Sequence, residues 1–364
     1  MPFNKNNMKI ENIDKNFKIK EITDIDGDVY NIPNEAFYIC GGWYENDIGF
    51  IKMPLDIANK TSTQVLWGSR CTAGVRALFS TDAKTIKLHA TIFQKCLMNH
   101  MPLTASAGFT LCKIVNGKEK FVCNFIPSLN SGEDNMIAQA DLNGNGLCDY
   151  ILYFPLYSGV KSLALEFNKG ARIQKYNKYK NLKPILYYGS SITQGGCASR
   201  TDNCYQSYIS QWTDIDYFLL GYSGGARAEK EMREYLSQID CSVFVCDYDH
   251  NAPSVEHLEN THLELYKNFR SVEKNKLTPI IFLTKPDGDR YPDGAKRVAI
   301  IRKTFNYARK NGDFNVYFID GRTIYPEEVK EHCAVDGCHP TDLGFYFIAK
   351  KLFKVVKKVL NKQI

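Results

Sequence analysis

Apolar and polar positions change rhythm about halfway along this chain. From about residue 20 to 170 the period is two. Thr85-Ile86-Lys87-Leu88-His89-Ala90-Thr91-Ile92 alternates as a strand with one wet face must. Gly49–Met53, Val75–Ser80, Gly108–Ile114, Lys120–Phe125 and Ser162–Phe167 are further strand candidates. Turn chemistry separates them: Asp26-Gly27-Asp28, Asn116-Gly117-Lys118 and Asn143-Gly144-Asn145-Gly146. Many short strands with little helical periodicity predict a β-sandwich of jelly-roll type.

From Pro184 onward the rhythm becomes strand, loop, helix. Strand runs without a polar face occur at Ile185–Tyr188, Tyr217–Leu220, Val243–Cys246, Ile280–Leu283 and Val316–Ile319. Helical patterns lie between them, at about 204–212, 226–238, 256–275 and 294–310, with a last one over about 343–361. Strands of this kind alternating with helices indicate a parallel sheet covered on both faces. The predicted fold is therefore α/β: a C-terminal three-layer αβα domain with a five-stranded parallel sheet, preceded by the sandwich. The expected division is 1–180 and 181–364, with the Lys-, Asn- and Tyr-rich stretch 168–183 as the connection. A chain of 364 residues is comfortable for two such cores.

Composition narrows the function classes. Hydrophobic residues make up 44% and charged residues 24%, the balance of a soluble globular protein. The net charge of +6 is modest. Its lysines crowd at Lys175–Lys183 and at Lys350–Lys358, and the second crowd shares a helix with Leu352, Phe353, Val355, Val356 and Leu360. That is a solvated helix face rather than a nucleic-acid patch. No apolar run approaches the ~20 residues needed to span a bilayer. The start of the sequence lacks the apolar stretch of a secretory signal, so a cytoplasmic protein is expected. Twelve scattered cysteines without a Cys-x-x-Cys pair read as buried, reduced thiols.

Parallel sheets place ligand sites beyond the carboxyl ends of their strands. After the first strand comes Gly189-Ser190-Ser191-Ile192-Thr193-Gln194-Gly195-Gly196, a tight turn that offers a serine hydroxyl and free amides. A phosphate-binding P-loop would need a lysine and another glycine spacing. The Gly-x-Ser-x-Gly elbow fails at Thr193. The second strand ends in Gly221-Tyr222-Ser223-Gly224-Gly225, and the third in Asp247-Tyr248-Asp249-His250-Asn251-Ala252-Pro253. Asn251 there is either an amide donor to the site or a turn residue before a proline. Before the last helix stands Val335-Asp336-Gly337-Cys338-His339-Pro340-Thr341-Asp342-Leu343-Gly344. Asp336 and His339, three apart in a Gly/Pro turn, can hydrogen-bond directly, which fixes the imidazole tautomer. A zinc site built from His332, Cys333, Cys338 and His339 matches none of the usual ligand spacings.

Taken in order, these four loops resemble the SGNH/GDSL hydrolase superfamily, named for its Ser, Gly, Asn and His. The matching residues are Ser191, Gly224, Asn251 and His339, with Asp336 as the third member of a triad. Ser190 stands where many members have Asp, although a Gly-Ser-Ser-Ile-Thr form belongs to a two-domain branch. Asp249 replaces the glycine usual two residues before the asparagine. Gly108-Phe109-Thr110-Leu111-Cys112 is similar to the Gly-x-Asp-Leu-Tyr motif of that branch's β-sandwich, with Asp and Tyr replaced.

The resemblance implies a serine esterase that needs no metal or organic cofactor. Ser191 would be the nucleophile, His339 the general base and Asp336 its orienting partner. The Ser191 and Gly224 amides and the Asn251 side chain would form the oxyanion hole. It also implies carbohydrate-esterase chemistry, the removal of acetyl groups from a sugar or oligosaccharide. Trp43, Tyr44 and Trp67 are candidate glycan contacts, with core packing as the competing reading. A non-catalytic carbohydrate-binding protein on a degenerate hydrolase scaffold is the alternative from another class. No nucleic-acid or membrane partner is expected, and a homo-oligomer is left open.

Overall fold

The computed structural model describes residues 14, 22–24, 26–129 and 134–361. The period-two half forms two antiparallel sheets. One runs in the order Gly27–Ile32, Gly159–Asn168, Thr85–Phe93, Asp134–Asp141. The other runs Ile173–Lys175, Arg76–Thr81, Cys148–Tyr153, Phe109–Val115, Lys118–Phe125, with Tyr38–Cys40 also paired to Arg76–Thr81. Alternation drives the pairing of the sheets face to face. Ile86, Leu88, Leu163, Leu165 and Phe167 from the first meet Ala77, Phe79, Phe109, Leu111 and Leu152 from the second in one buried cluster.

The second half is the predicted three-layer sandwich of helices about a parallel sheet, with strand order Tyr217–Gly221, Ile185–Gly189, Val243–Asp247, Ile280–Leu283, Val316–Ile319. Each strand is nearly buried on both faces, which is why its sequence does not alternate. Helices Tyr205–Thr213 and Asp342–Leu360 cover one face through Tyr205, Ile209, Phe345, Ile348 and Leu352. Helices Lys230–Gln238, Val255–Ser271 and Gly294–Lys310 cover the other through Met232, Leu236, Leu258, Leu265, Phe269 and Ile301. The chain reverses direction across the sheet at Ile185–Gly189, so its carboxyl end is the topological switch point where a ligand crevice opens.

Several elements differ from the sequence reading. Helices Leu55–Thr61 and Thr63–Ser69 interrupt the region read as strand and turn. At seven residues each they are too short to display a helical period. The strands Asp134–Asp141 and Cys148–Tyr153 were not among the candidates; the second is buried between two neighbours and therefore lacks alternation. The helix expected from 226 starts at Lys230, because Gly224 and Ala228 take positive φ and hold the preceding loop out of the helical region. The helix expected to reach 275 ends at Ser271, where Val272 turns extended.

The two halves share a core rather than merely touching. Met53, Ala58 and Val65 enter one helix-covered face of the parallel sheet, and Ala73, Met101, Ala105, Leu156 and Tyr157 enter the other. Arg76 is completely buried: it pairs with Asp216, donates to the Tyr217 carbonyl at 3.1 Å and lies 3.6 Å from the centre of the Tyr217 ring. Lys52 donates to the Gly221 carbonyl at 2.8 Å, and burial pulls its ammonium down to about 8. The twelve cysteines are free thiols, eight of them buried. Among the described residues, no helix is long and apolar enough to cross a membrane.

Candidate active site

The site begins with a backbone constraint. Gly189 ends its strand so close to the neighbouring one that a Cβ would meet the Asp247 carbonyl and the Thr193 hydroxyl, each at 2.2 Å. Only glycine lets the chain turn at once into the short helix Ser191–Gln194. Ser190 caps that helix by accepting from the Ile192 N–H at 3.1 Å. Ser191 is its first residue and 6% exposed. The first N–H groups of a helix have no partner within it, so the Ser191 amide is left for the crevice.

His339 reaches the serine from the far end of the sequence. Ser191 Oγ and His339 Nε2 are 2.9 Å apart, and His339 Nδ1 and Asp336 Oδ2 are 2.7 Å apart. With Nδ1–H donating to the carboxylate, Nε2 is free to accept the serine proton. Asp336 Oδ1 accepts the backbone N–H groups of Cys338 at 2.9 Å and His339 at 2.7 Å. Partial burial would raise the Asp336 pKa, but these hydrogen bonds outweigh it and hold the group at about 2.

Gly224 lies in the second loop with φ +67° and nothing within 4 Å of where a Cβ would be, so its backbone faces open space. Asn251 is joined to the same loop: its side-chain amide donates to the Tyr222 carbonyl at 2.9 Å. Ser191, His339 and Asp336 thus form one hydrogen-bonded chain, and Asn251 is tied to the loop of Gly224. The four residues of the zinc reading do not converge; Cys333 instead donates to the Val329 carbonyl at 3.3 Å.

Several residues around the site escaped sequence reasoning. His250 bonds to Ser190 Oγ through Nε2 and to Asp249 Oδ1 through Nδ1 at 2.8 Å, a second serine–histidine–aspartate chain directly behind the first. Asp249 also accepts the Lys285 N–H at 3.0 Å, which joins the loops after the third and fourth strands. Burial alone would raise the Asp249 pKa, but the bonds from His250 and Lys285 keep it low. Asp249 and His250 lie in the same run as Asn251, yet the bond that ties them to the site comes from a serine sixty positions before His250.

The sandwich contributes to the rim. Tyr157 donates to the Ser191 carbonyl at 3.4 Å, and Trp67 leans on Tyr157 with ring centres 6.4 Å apart. His100 places its ring 6.0 Å from that of His339. Thr104 donates to the Ser199 carbonyl, and Ser199 and Asn203 in turn bond Asp342, three residues after His339. Trp43 and Tyr44 are half-buried; Trp43 donates to Glu45 at 3.1 Å, and Tyr44 packs edge-on against Phe50.

A hydroxyl backed by an imidazole and a carboxylate, at the switch point of a doubly covered parallel sheet, has the form of an acyl-transfer site, and the protein is a carboxylic ester hydrolase. Residues 182–357 match the GDSL-like Lipase/Acylhydrolase family, and residues 30–173 match the N-terminus of Esterase_SGNH_hydro-type. The chain belongs to this family of two-part SGNH esterases. No curated protein matches the sequence. Among solved structures, a protein from Bacteroides ovatus described as a GDSL-like lipase is similar at 26% identity and a TM-score of 0.81, over 92% of this chain and 98% of that one. The salicylyl-acyltransferase of a tetracycline biosynthetic pathway shares the fold at 16% identity and TM-score 0.73, over 90% and 95% of the two chains. An acetyl xylan esterase from Butyrivibrio proteoclasticus does so at 15% identity and TM-score 0.59, over 92% and 99%.

Proposed function

We propose that this protein removes short acyl groups, acetyl foremost, from hydroxyls of a carbohydrate, through an acyl-enzyme on Ser191. The observation that carries the reading is the unbroken chain from Ser191 Oγ through His339 to Asp336. His339 accepts the serine proton as the hydroxyl attacks the ester carbonyl, then gives it to the leaving alcohol. Asp336 holds the tautomer and stabilises the imidazolium. The oxyanion is met by the Ser191 and Gly224 amides and the Asn251 side chain. Water enters by the same route and releases the acid.

The sugar assignment draws support from the acetyl xylan esterase and from a Clostridium thermocellum family two carbohydrate esterase with bound cellohexaose, both of which share the fold. Trp67, half-buried and leaning on the Tyr157 that touches Ser191, is the candidate contact for a sugar ring on this reading. The test is hydrolysis of acetyl through octanoyl nitrophenyl esters beside O-acetylated sugars, with Ser191→Ala as control. Wild type is expected to prefer acetyl, and the variant to lose both turnover and labelling by a fluorophosphonate while keeping its fold. Full activity in Ser191→Ala would remove the nucleophile assignment, and an octanoyl preference would remove the deacetylase.

A further inference from the structure

Beside the turn that carries His339, a cavity of about 260 Å³ opens between the loops that follow the third and fourth strands of the parallel sheet. Asp249, His250, Lys285, Tyr291, Asp293 and Arg297 supply its polar lining. Two bonds tie its walls to neighbours of the proposed catalytic residues. His250 holds Ser190, the neighbour of the nucleophile, and Tyr291 donates its hydroxyl to the Gly337 carbonyl at 3.2 Å, in the turn that carries His339. The first turn of the helix Gly294–Lys310 lines the same space, so the positive end of its dipole faces in.

The charges in this lining do not cancel evenly. Asp249 is spent on the His250 ring, the His250 N–H and the Lys285 N–H. Arg297 pairs with Asp293 at 2.7 Å and donates to the carbonyls of Asp249 and Ala252. Asp287, close by, is held by Arg290 and Lys330. Lys285 is left over. It is 7% exposed, its ammonium lies 3.2 Å from the centre of the Tyr291 ring with the Cys338 thiol nearby, and the carboxylates of Asp249 and Asp287 act on it only from beyond ion-pair distance. Burial pulls its pKa below the ordinary lysine value. A buried cation with no carboxylate in direct contact is left under-compensated unless an anion completes it.

We infer that this cavity is a subsite for a carboxylate borne by the alcohol portion of the ester, with Lys285 as its counter-ion. The preferred substrate is then an O-acylated acidic sugar of the uronic acid class. A single unpaired ammonium suits a monoanion, whereas a phosphate dianion calls for more donors than remain free here. The alcohol side follows from the wall shared with the His339 turn, since His339 must hand its proton to the leaving alcohol. The inference rests on the esterase reading for its substrate, but the anion site can be tested apart from turnover.

The experiment compares kcat/KM for an O-acetylated methyl glucuronoside and the matching O-acetylated methyl glucoside, in wild type, Lys285→Met and Lys285→Arg. Wild type is expected to favour the acidic substrate by about tenfold or more, the weight of a charge-assisted contact. Lys285→Met should erase that ratio, and Lys285→Arg should keep part of it. An equal ratio in wild type and Lys285→Met overturns the subsite while leaving the esterase intact. In parallel, calorimetry follows methyl glucuronoside binding to Ser191→Ala, with and without Lys285→Met. Binding that needs Lys285, in a protein whose wild type cleaves no ester, would keep the subsite and overturn the esterase. Binding indifferent to Lys285 overturns the subsite.

Discussion

His339 is positioned by a carboxylate that is itself fixed by the backbone. One Asp336 oxygen takes two amides of its own turn and the other takes the imidazole, so neither residue has to reorganise for substrate. With its pKa at about 2, Asp336 stays charged at any pH where an esterase works, and protonation of Asp336 will not set the acid limb of the activity profile. Asp336→Asn keeps the shape of the turn but loses the acceptor for Nδ1–H. It is expected to lower kcat by about 10⁴-fold with KM little changed, as steady-state kinetics would show. Asn251 is a different case, because one of its N–H groups is already given to the Tyr222 carbonyl. Asn251→Ala should lower kcat by about 10²-fold if the remaining N–H serves the oxyanion. An unchanged kcat would restrict the residue to pinning the second loop.

At the scale of elements, the placement of the proposed nucleophile depends on how abruptly one strand becomes a helix. Gly189→Ala places a methyl group against the Asp247 carbonyl and Thr193, and must push the strand from its neighbour or swing the Ser191 helix away. The expected cost is about 1–3 kcal/mol of stability, read from the thermal midpoint, together with a fall in kcat as Ser191 leaves His339. The sequence showed this junction as a glycine-bounded turn, and the Asp336–His339 turn was equally legible because both partners lie within four positions. The chain Ser190–His250–Asp249 was not legible, since nothing local reveals that the third strand lies beside the first. The two short helices near residue 60 were hidden for another reason: seven residues make barely two turns, and their packing against the second half supplies the burial.

The molecule as a whole is held by polar groups buried where its halves and layers meet. His262, on the helix Val255–Ser271, is fully buried between the Tyr248 and Phe282 rings and bonds Thr304 on the next helix at 2.9 Å. Burial lowers its pKa to about 4 from 6.5. The unfolded chain therefore binds the extra proton between these values, and stability is lost as pH falls through that window. The loss approaches about 3 kcal/mol near pH 4. His262→Gln should flatten the difference between unfolding midpoints at pH 5 and pH 7; an equal slope in both proteins would place the acid sensitivity elsewhere. The sandwich, for its part, reaches into the catalytic half. Through Thr104, Ser199 and Asp342 it braces the loop after Ser191 against the helix that follows His339.

The sequence by itself determined whatever depends on neighbours along the chain. It specified the two-sided burial that makes a parallel sheet, the alternation that makes a sandwich, the glycine turn that presents Ser191 and the Asp336–His339 pair. Those features follow from local sterics and periodicity, which a short window contains. Only the tertiary structure decided what depends on strand order. Setting the first strand beside the third put His250 behind Ser190, and setting the fourth beside the third left Lys285 buried at a cavity with no carboxylate in direct contact among the described residues. Strand order is a property of the folded sheet, and no run of residues states it.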